Sequence, residues 1–237
     1  MSLSDVSIIV TSFLRPGCLF ECLDGLDKNL PECPVIVVDD SGIDMPSAIQ
    51  LPFDSGLSAK RNAGVAACET PFLLMIHDDQ NLGSPEAREG VERLLFALER
   101  DPSIDVAAGR NNGVVYEGFL EYKPGEYIKE TRLQCDGSSY RYKVDIAGNY
   151  FMARTERVVP WDNRMKITGE HGDWYLSMKE AGRCVVWVPG VNGPCQAPDP
   201  KKESPSYKQY RGRKDGHQIF KQKWNIPTYI DFDGRKS

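Results

Sequence analysis

The stretch Val6-Ser-Ile-Ile-Val-Thr11, followed by Cys18 to Leu30 and then by Val35-Ile-Val-Val38, decides the fold. The first and last runs are β-branched, apolar and of strand length. Between them, after Pro16-Gly17, apolar residues recur at helical spacing: Leu19, Cys22, Leu23, Leu26 and Leu30. Strand, helix and strand in quick succession read as a βαβ unit. The pattern continues downstream. Ser58 is placed to cap a helix reaching Ala67, and Phe72-Leu-Leu-Met-Ile76 reads as a third buried strand. Ser84-Pro85 opens a helix to about Arg100 with Val91, Leu94, Leu95 and Leu98 on one face. Val106-Ala-Ala108 is a fourth strand. Alternation of this kind predicts an α/β protein with a mixed, mostly parallel sheet flanked by helices.

The pattern then weakens. Residues 111–145 are rich in Gly, Tyr and charge and read as short hairpin strands. Asp145 to Arg154 leads back into the core. Gly169 to Ala181 reads as a helix with Gly182 just past its end. Cys184-Val-Val-Trp-Val188 is the last strand, stopped by Pro189. Residues 1–195 are expected to form one domain, and residues 196–237 a basic C-terminal tail that is partly ordered at best.

The chain has 237 residues, 41 % hydrophobic and 27 % charged, enough for one large soluble domain with a real core. No run is long and apolar enough to span a bilayer. Met1 to Asp5 lack the basic start and cleavage site of a signal peptide, so a cytoplasmic location or a trimmed chain is expected. Seven cysteines make an odd count with no C-x-x-C pair, which reads as free thiols in a reducing compartment. A net charge of −5 argues against nucleic acid as a main partner. The charge is uneven: residues 196–237 carry ten Lys/Arg against five Asp/Glu, leaving the remainder at −10. Such a tail could touch an anionic acceptor, a phosphate or, peripherally, a membrane surface, or could simply be solvated.

Ligands of open α/β sheets sit at the carboxyl ends of the strands. Thr11-Ser12, Asp39-Asp40 and His77-Asp78-Asp79 all lie at such ends, although turns favour Asp and Ser in any case. The adjacent carboxylates Asp78 and Asp79 suit a hard cation, Mg²⁺ or Mn²⁺, bridging a diphosphate. His77 beside them tilts the choice towards Mn²⁺. The alternative is a turn with solvated acids.

Five motifs stand in order: Thr11-Ser12-Phe13-x-Arg15, Val37-Val38-Asp39-Asp40-Ser41, Gly56-Leu57-Ser58-x-x-Arg61-Asn62, the apolar strand ending in His77-Asp78-Asp79, and Gly169-Glu170-His171-Gly172-Asp173-Trp174. Together they resemble the GT-A fold glycosyltransferases, family two in particular. Gly148-Asn149-Tyr150-Phe151-Met152-Ala153-Arg154-Thr155 and His171-Gly172-Asp173-Trp174-Tyr175 resemble the β-1,4-N-acetylgalactosaminyltransferases. The resemblance implies an inverting, metal-dependent enzyme moving a hexose or N-acetylhexosamine from a UDP-sugar to a glycan or other hydroxyl acceptor. It implies that Thr11, Ser12 and Arg15 lie against the nucleoside and its phosphates. Asp39 or Asp40 would accept a hydrogen bond from uracil, and Lys60 and Arg61 would reach the base or diphosphate. Asp79 keeps the metal position, His77 stands where an Asp is usual, and Asp78 meets ribose or the metal. Glu170, His171 and Asp173 are the candidate bases, His171 occupying the usual position.

Two further features have open readings. Trp161 and Trp174 are either sugar platforms or core residues, and His217 could supply a third metal ligand or do nothing. Two other functions compete. A nucleotidyltransferase would need a glycine-rich loop after the first strand, where Thr11 to Gly17 has only one Gly. A non-catalytic nucleotide-sugar or carbohydrate-binding module would account for histidines replacing carboxylates at His77 and His171.

Overall fold

The structure, a computed structural model, describes residues 2–196 and 204–237. In chain order its elements are β1 (Val6–Ser12), α1 (Pro16–Asn29), β2 (Val35–Asp39), β3 (Ile49–Gln50), α2 (Leu57–Ala66), β4 (Phe72–His77), α3 (Pro85–Arg100) and β5 (Val106–Asn111). Then come β6 (Gly118–Lys123), β7 (Tyr127–Arg132), β8 (Tyr142–Val144), β9 (Tyr150–Arg154), α4 (Glu170–Glu180), β10 (Val185–Gly193), α5 (Tyr207–Arg211), α6 (Asp215–Lys223) and β11 (Thr228–Ile230).

Eight strands form one sheet in the order β3-β2-β1-β4-β9-β5-β10-β8. β1 pairs in parallel with β2 and β4, and β5 with β10, while β9 runs antiparallel between β4 and β5. This is the mixed, mostly parallel α/β sheet that the alternating pattern predicts. The pleat sends successive residues of β1 to opposite faces. Val6, Ile8 and Val10 pack with Leu19 and Leu26 of α1 and Leu94 of α3. Ile9 faces the other way, into a core with Phe151, Trp161 and Trp174. Each such aliphatic side chain contributes roughly 1.5–3 kcal/mol of burial free energy.

Three expectations need correction. Ser58 does not cap α2: Gly56 is the N-cap residue, and Ser58 donates its hydroxyl to the Met165 carbonyl at 2.6 Å. Pro189 does not end β10. The strand shifts register between Trp187 and Asn192 and pairs again with β5, the irregularity absorbing the residue that lacks an N–H. Residues 204–237 fold onto the body, with two helices and a strand, where partial order at best is expected. Phe220 and Ile226 are buried, and β11 adds in parallel to β7 in a second sheet ordered β11-β7-β6. Tail residues 197–203 lie outside the described residues. The start of α6 presses on the turn before α4: a Cβ on Gly216 would lie 1.7 Å from the Thr168 carbonyl oxygen. Only glycine permits that approach.

Candidate active site

A cavity of about 530 Å³ opens at the carboxyl ends of β1, β2 and β4. Its floor carries charge. Arg15, just before α1, donates to Asp79 at 2.7 Å and also to Asp78. Asp78 is fully buried and accepts a second bond from Ser12 Oγ at 3.0 Å. Burial raises its pKa to about 6 even beside Arg15. Asp79 is different: its side chain is 29 % exposed and lines the cavity. Burial works to raise its pKa, but Arg15 outweighs that and holds it low.

The other donor-side candidates separate likewise. Asp40 lines the cavity, accepting from Lys60 Nζ at 2.6 Å and from the Gly56 amide at 2.7 Å. Asp39 is buried beneath, accepting from the Ser41 amide at 2.8 Å and its hydroxyl at 2.5 Å, and does not line the cavity. Lys60 lines it, whereas Arg61, one step around the helix, is only 1 % exposed. Arg61 lies 3.7 Å from Glu170, 3.5 Å from His77 Nε2 and over the Trp161 ring. It supports the cavity from below.

His77 reaches the cavity through a ring engaged on both sides. Thr11 Oγ1 is 3.1 Å from Nδ1 and Arg61 is at Nε2. Burial, then Arg61, pushes its pKa down to about 3, so the ring is neutral. A guanidinium only donates, so Nε2 carries the lone pair and Nδ1 the hydrogen. No cluster of three His, Cys, Asp or Glu side chains able to hold a metal occurs among the described residues. The donor set fits a cation held by few protein ligands: Asp79 keeps one carboxylate oxygen free of Arg15, and Mg²⁺-like ions complete their shells with phosphates and water.

The far wall is the first turn of α4. Glu170 and His171 line the cavity. His171 Nδ1 is 2.7 Å from Asn149 Oδ1, an acceptor, which places the hydrogen on Nδ1. Nε2, buried, has no partner among the described residues. Asp173 is turned elsewhere. It is 1 % exposed, does not line the cavity, and accepts from Trp224 Nε1 at 2.7 Å and Lys223 Nζ at 2.8 Å. Trp161 and Trp174 stack face to face at 4.6 Å with Phe151 beside them, so they are core residues.

Tyr207 and Arg211, one helical turn apart on α5, also line the cavity, and sequence reasoning missed both. The helix is seated by aromatic contacts of Phe13 with Phe53 and Tyr210 and by an Arg213–Asp54 ion pair at 2.6 Å. Arg15 also lies over the Tyr207 ring. His217 lines the cavity as well.

No family model matches the chain. It is 30 % identical over 227 residues to mouse beta-1,4 N-acetylgalactosaminyltransferase 2, an alignment covering 87 % of this chain and 43 % of that protein. The chain thus spans less than half the length of this curated relative. Among solved structures, GalNAc-T7 with UDP, GalNAc and Mn²⁺ superposes with a TM-score of 0.64 at 12 % identity, over 92 % of this chain and 47 % of the other. S. aureus TarS 1–349 in complex with UDP superposes with a TM-score of 0.55 at 16 % identity, over 77 % and 57 %.

Proposed function

We propose that this chain, whose fold is that of the GT-A glycosyltransferases, moves a hexose or N-acetylhexosamine from a UDP-sugar to an acceptor hydroxyl with inversion at the anomeric carbon. The observation that carries this is one cavity lined by the partly exposed carboxylate of Asp79, by the cations Arg15, Lys60, Lys166 and Arg211 and, on its far wall, by His171, whose Nε2 lone pair has no partner among the described residues. Lys60 and Arg211 are placed to meet the diphosphate, and Asp40, beside Lys60, is the carboxylate available to uracil N3–H. Asp39, the other sequence candidate, lacks access. Asp79 would hold the metal, which supplies charge stabilisation to the departing diphosphate when bound.

In the reaction the acceptor oxygen attacks the anomeric carbon while the bond from that carbon to the diphosphate oxygen breaks. The bonding pair leaves with UDP, and the acceptor proton passes to His171 Nε2. Asn149 fixes the tautomer that makes this nitrogen a base. A non-catalytic module would have no need of this unpartnered lone pair at the cavity wall.

The donor side is tested by calorimetry of UDP with Mn²⁺. Wild-type protein should bind UDP more tightly with the metal than without it. Asp79→Ala should remove most of that difference, and unchanged metal dependence would refute its role. Inversion has its own readout: proton NMR of fresh product from an α-linked UDP-sugar should show a β linkage, and an α linkage would overturn the mechanism.

A further inference from the structure

Asn111, the last residue of β5, lines the cavity, and its carboxamide is held in one orientation by hydrogen bonds that start at the metal turn. The His77 amide donates to Gln80 Oε1 at 2.9 Å. A backbone N–H only donates, so the other end of the Gln80 side chain is its NH2 group. That group donates to Asn111 Oδ1 at 3.0 Å, and Cys195 Sγ approaches the same oxygen at 3.0 Å. Gln80 is fully buried, with no water to turn to instead. Both lone pairs of Asn111 Oδ1 are therefore taken. Asn111 Nδ2, by contrast, is neither buried nor paired among the described residues. What Asn111 turns to the cavity is a group with two N–H donors and no acceptor.

Asn111 also stands between the two ends of the reaction. Gln80 ties it to the turn that carries Asp79. On the other side, the chain before β9 presses on the end of β5. A Cβ on Gly148 would lie 2.8 Å from the Gly109 carbonyl oxygen and 3.4 Å from the Asn111 nitrogen. Asn149, next along, holds His171. A sugar in transit has to lie between a diphosphate at Asp79 and a base at His171, which is where Asn111 faces the cavity.

We infer that Asn111 is the residue that reads the transferred sugar, donating to the carbonyl oxygen of an acetamido group and so favouring an N-acetylhexosamine over its parent hexose. The inference rests on the donor assignment of the cavity. A carbonyl oxygen is an acceptor only, and it matches a group that only donates. A hexose hydroxyl in its place brings a hydrogen of its own. Asn111 Oδ1 is already spent on Gln80 and Cys195, so that hydrogen finds no acceptor on this side chain. A polar group left unmatched in a closed site costs affinity, and sites built to hydrogen-bond one group discriminate strongly against analogues that lack it. The phosphates of the donor are acceptor-only as well, so the experiment has to separate sugar from diphosphate.

The test is calorimetry on the full chain with Mn²⁺. UDP-N-acetylglucosamine is compared with UDP-glucose, UDP-N-acetylgalactosamine with UDP-galactose, and all four with UDP. In the better-bound epimer pair the acetylated member should bind at least about tenfold tighter than its parent. Asn111→Ala should bring the two members to within about twofold while binding UDP as wild type does. Asn111→Leu, close to asparagine in shape and without a donor, makes the same comparison should the alanine variant not fold. A folded variant that loses as much affinity for UDP as for the acetylated sugar would put Asn111 on the diphosphate and overturn the proposal. Equal binding within both pairs, tighter binding of the parent hexoses, binding of UDP but of none of the four sugars, or a preference that survives both substitutions would overturn it too. Failure of the wild-type chain to bind UDP would overturn the donor assignment instead.

Discussion

His171→Ala is expected to lose between about 10² and 10⁴ in turnover, the usual contribution of a general base, while UDP affinity stays near that of wild type. The expectation follows from where the three carboxylate or imidazole candidates of α4 point. Asp173 is spent on Lys223 and Trp224 of the tail. Glu170 faces the cavity, but its carboxylate is paired with Arg61 at 3.7 Å. His171 Nε2 has no hydrogen-bond or ion-pair partner among the described residues. Asp173→Asn should therefore be milder in turnover than His171→Ala. If His171→Ala turns over at the wild-type rate and Glu170→Gln does not, the base is Glu170.

The same imidazole fixes an acid dependence. Burial, then Arg61, pushes its pKa down to about 3, below the ordinary value near 6.5. The folded state therefore binds the proton less readily than the unfolded state. Its neutral form contributes fully above about pH 6.5, and stability falls as the pH drops from there towards about 3. His171→Ala should flatten the part of the stability–pH curve that lies in this window.

Arg61→Ala is expected to destabilise the fold by about 3–5 kcal/mol in urea unfolding, because it strands Glu170 in a buried position. Burial lowers the Arg61 pKa against the pull of Glu170, and raises that of Glu170 against the pull of Arg61, so each charge depends on the other. Arg61→Ala combined with Glu170→Gln should be less destabilised than the sum of the two single changes, since the second removes the stranded charge. Strict additivity would mean that the two groups are not coupled.

Much of the donor side is legible in sequence because it depends on local pattern. β1, β2 and β4 are short apolar runs, and a polar cluster follows each at the carboxyl edge where cavities form. Which member of a cluster faces the ligand is not local. Lys60 and Arg61 read alike as cations on a helix, but a rotation of about 100° separates the one that lines the cavity from the one that does not. Asp173 reads as well placed as His171, and only Trp224, far along the chain, shows that it faces the tail. The tail itself is illegible for the same reason. Its anchors, Phe220, Ile226 and Tyr229, lack the sustained periodicity that marks an element, and some of their partners lie about a hundred residues earlier. Tyr207 and Arg211 do have helical spacing, the one signal that could have found them.

The parallel addition of β11 to β7 carries a consequence for the order of assembly. Thr228 lies opposite Tyr127, so the contact closes a loop of about a hundred residues and cannot form until nearly all the described chain has left the ribosome. Until then β7 is an outer strand with a bare row of amides and carbonyls, and Ile128 lacks part of its final cover. A nascent or clipped chain ending before Thr228 would present that row as a template for a second copy. The small sheet thus gains its protection against self-association only with Thr228–Ile230, long after β6 and β7 have been made.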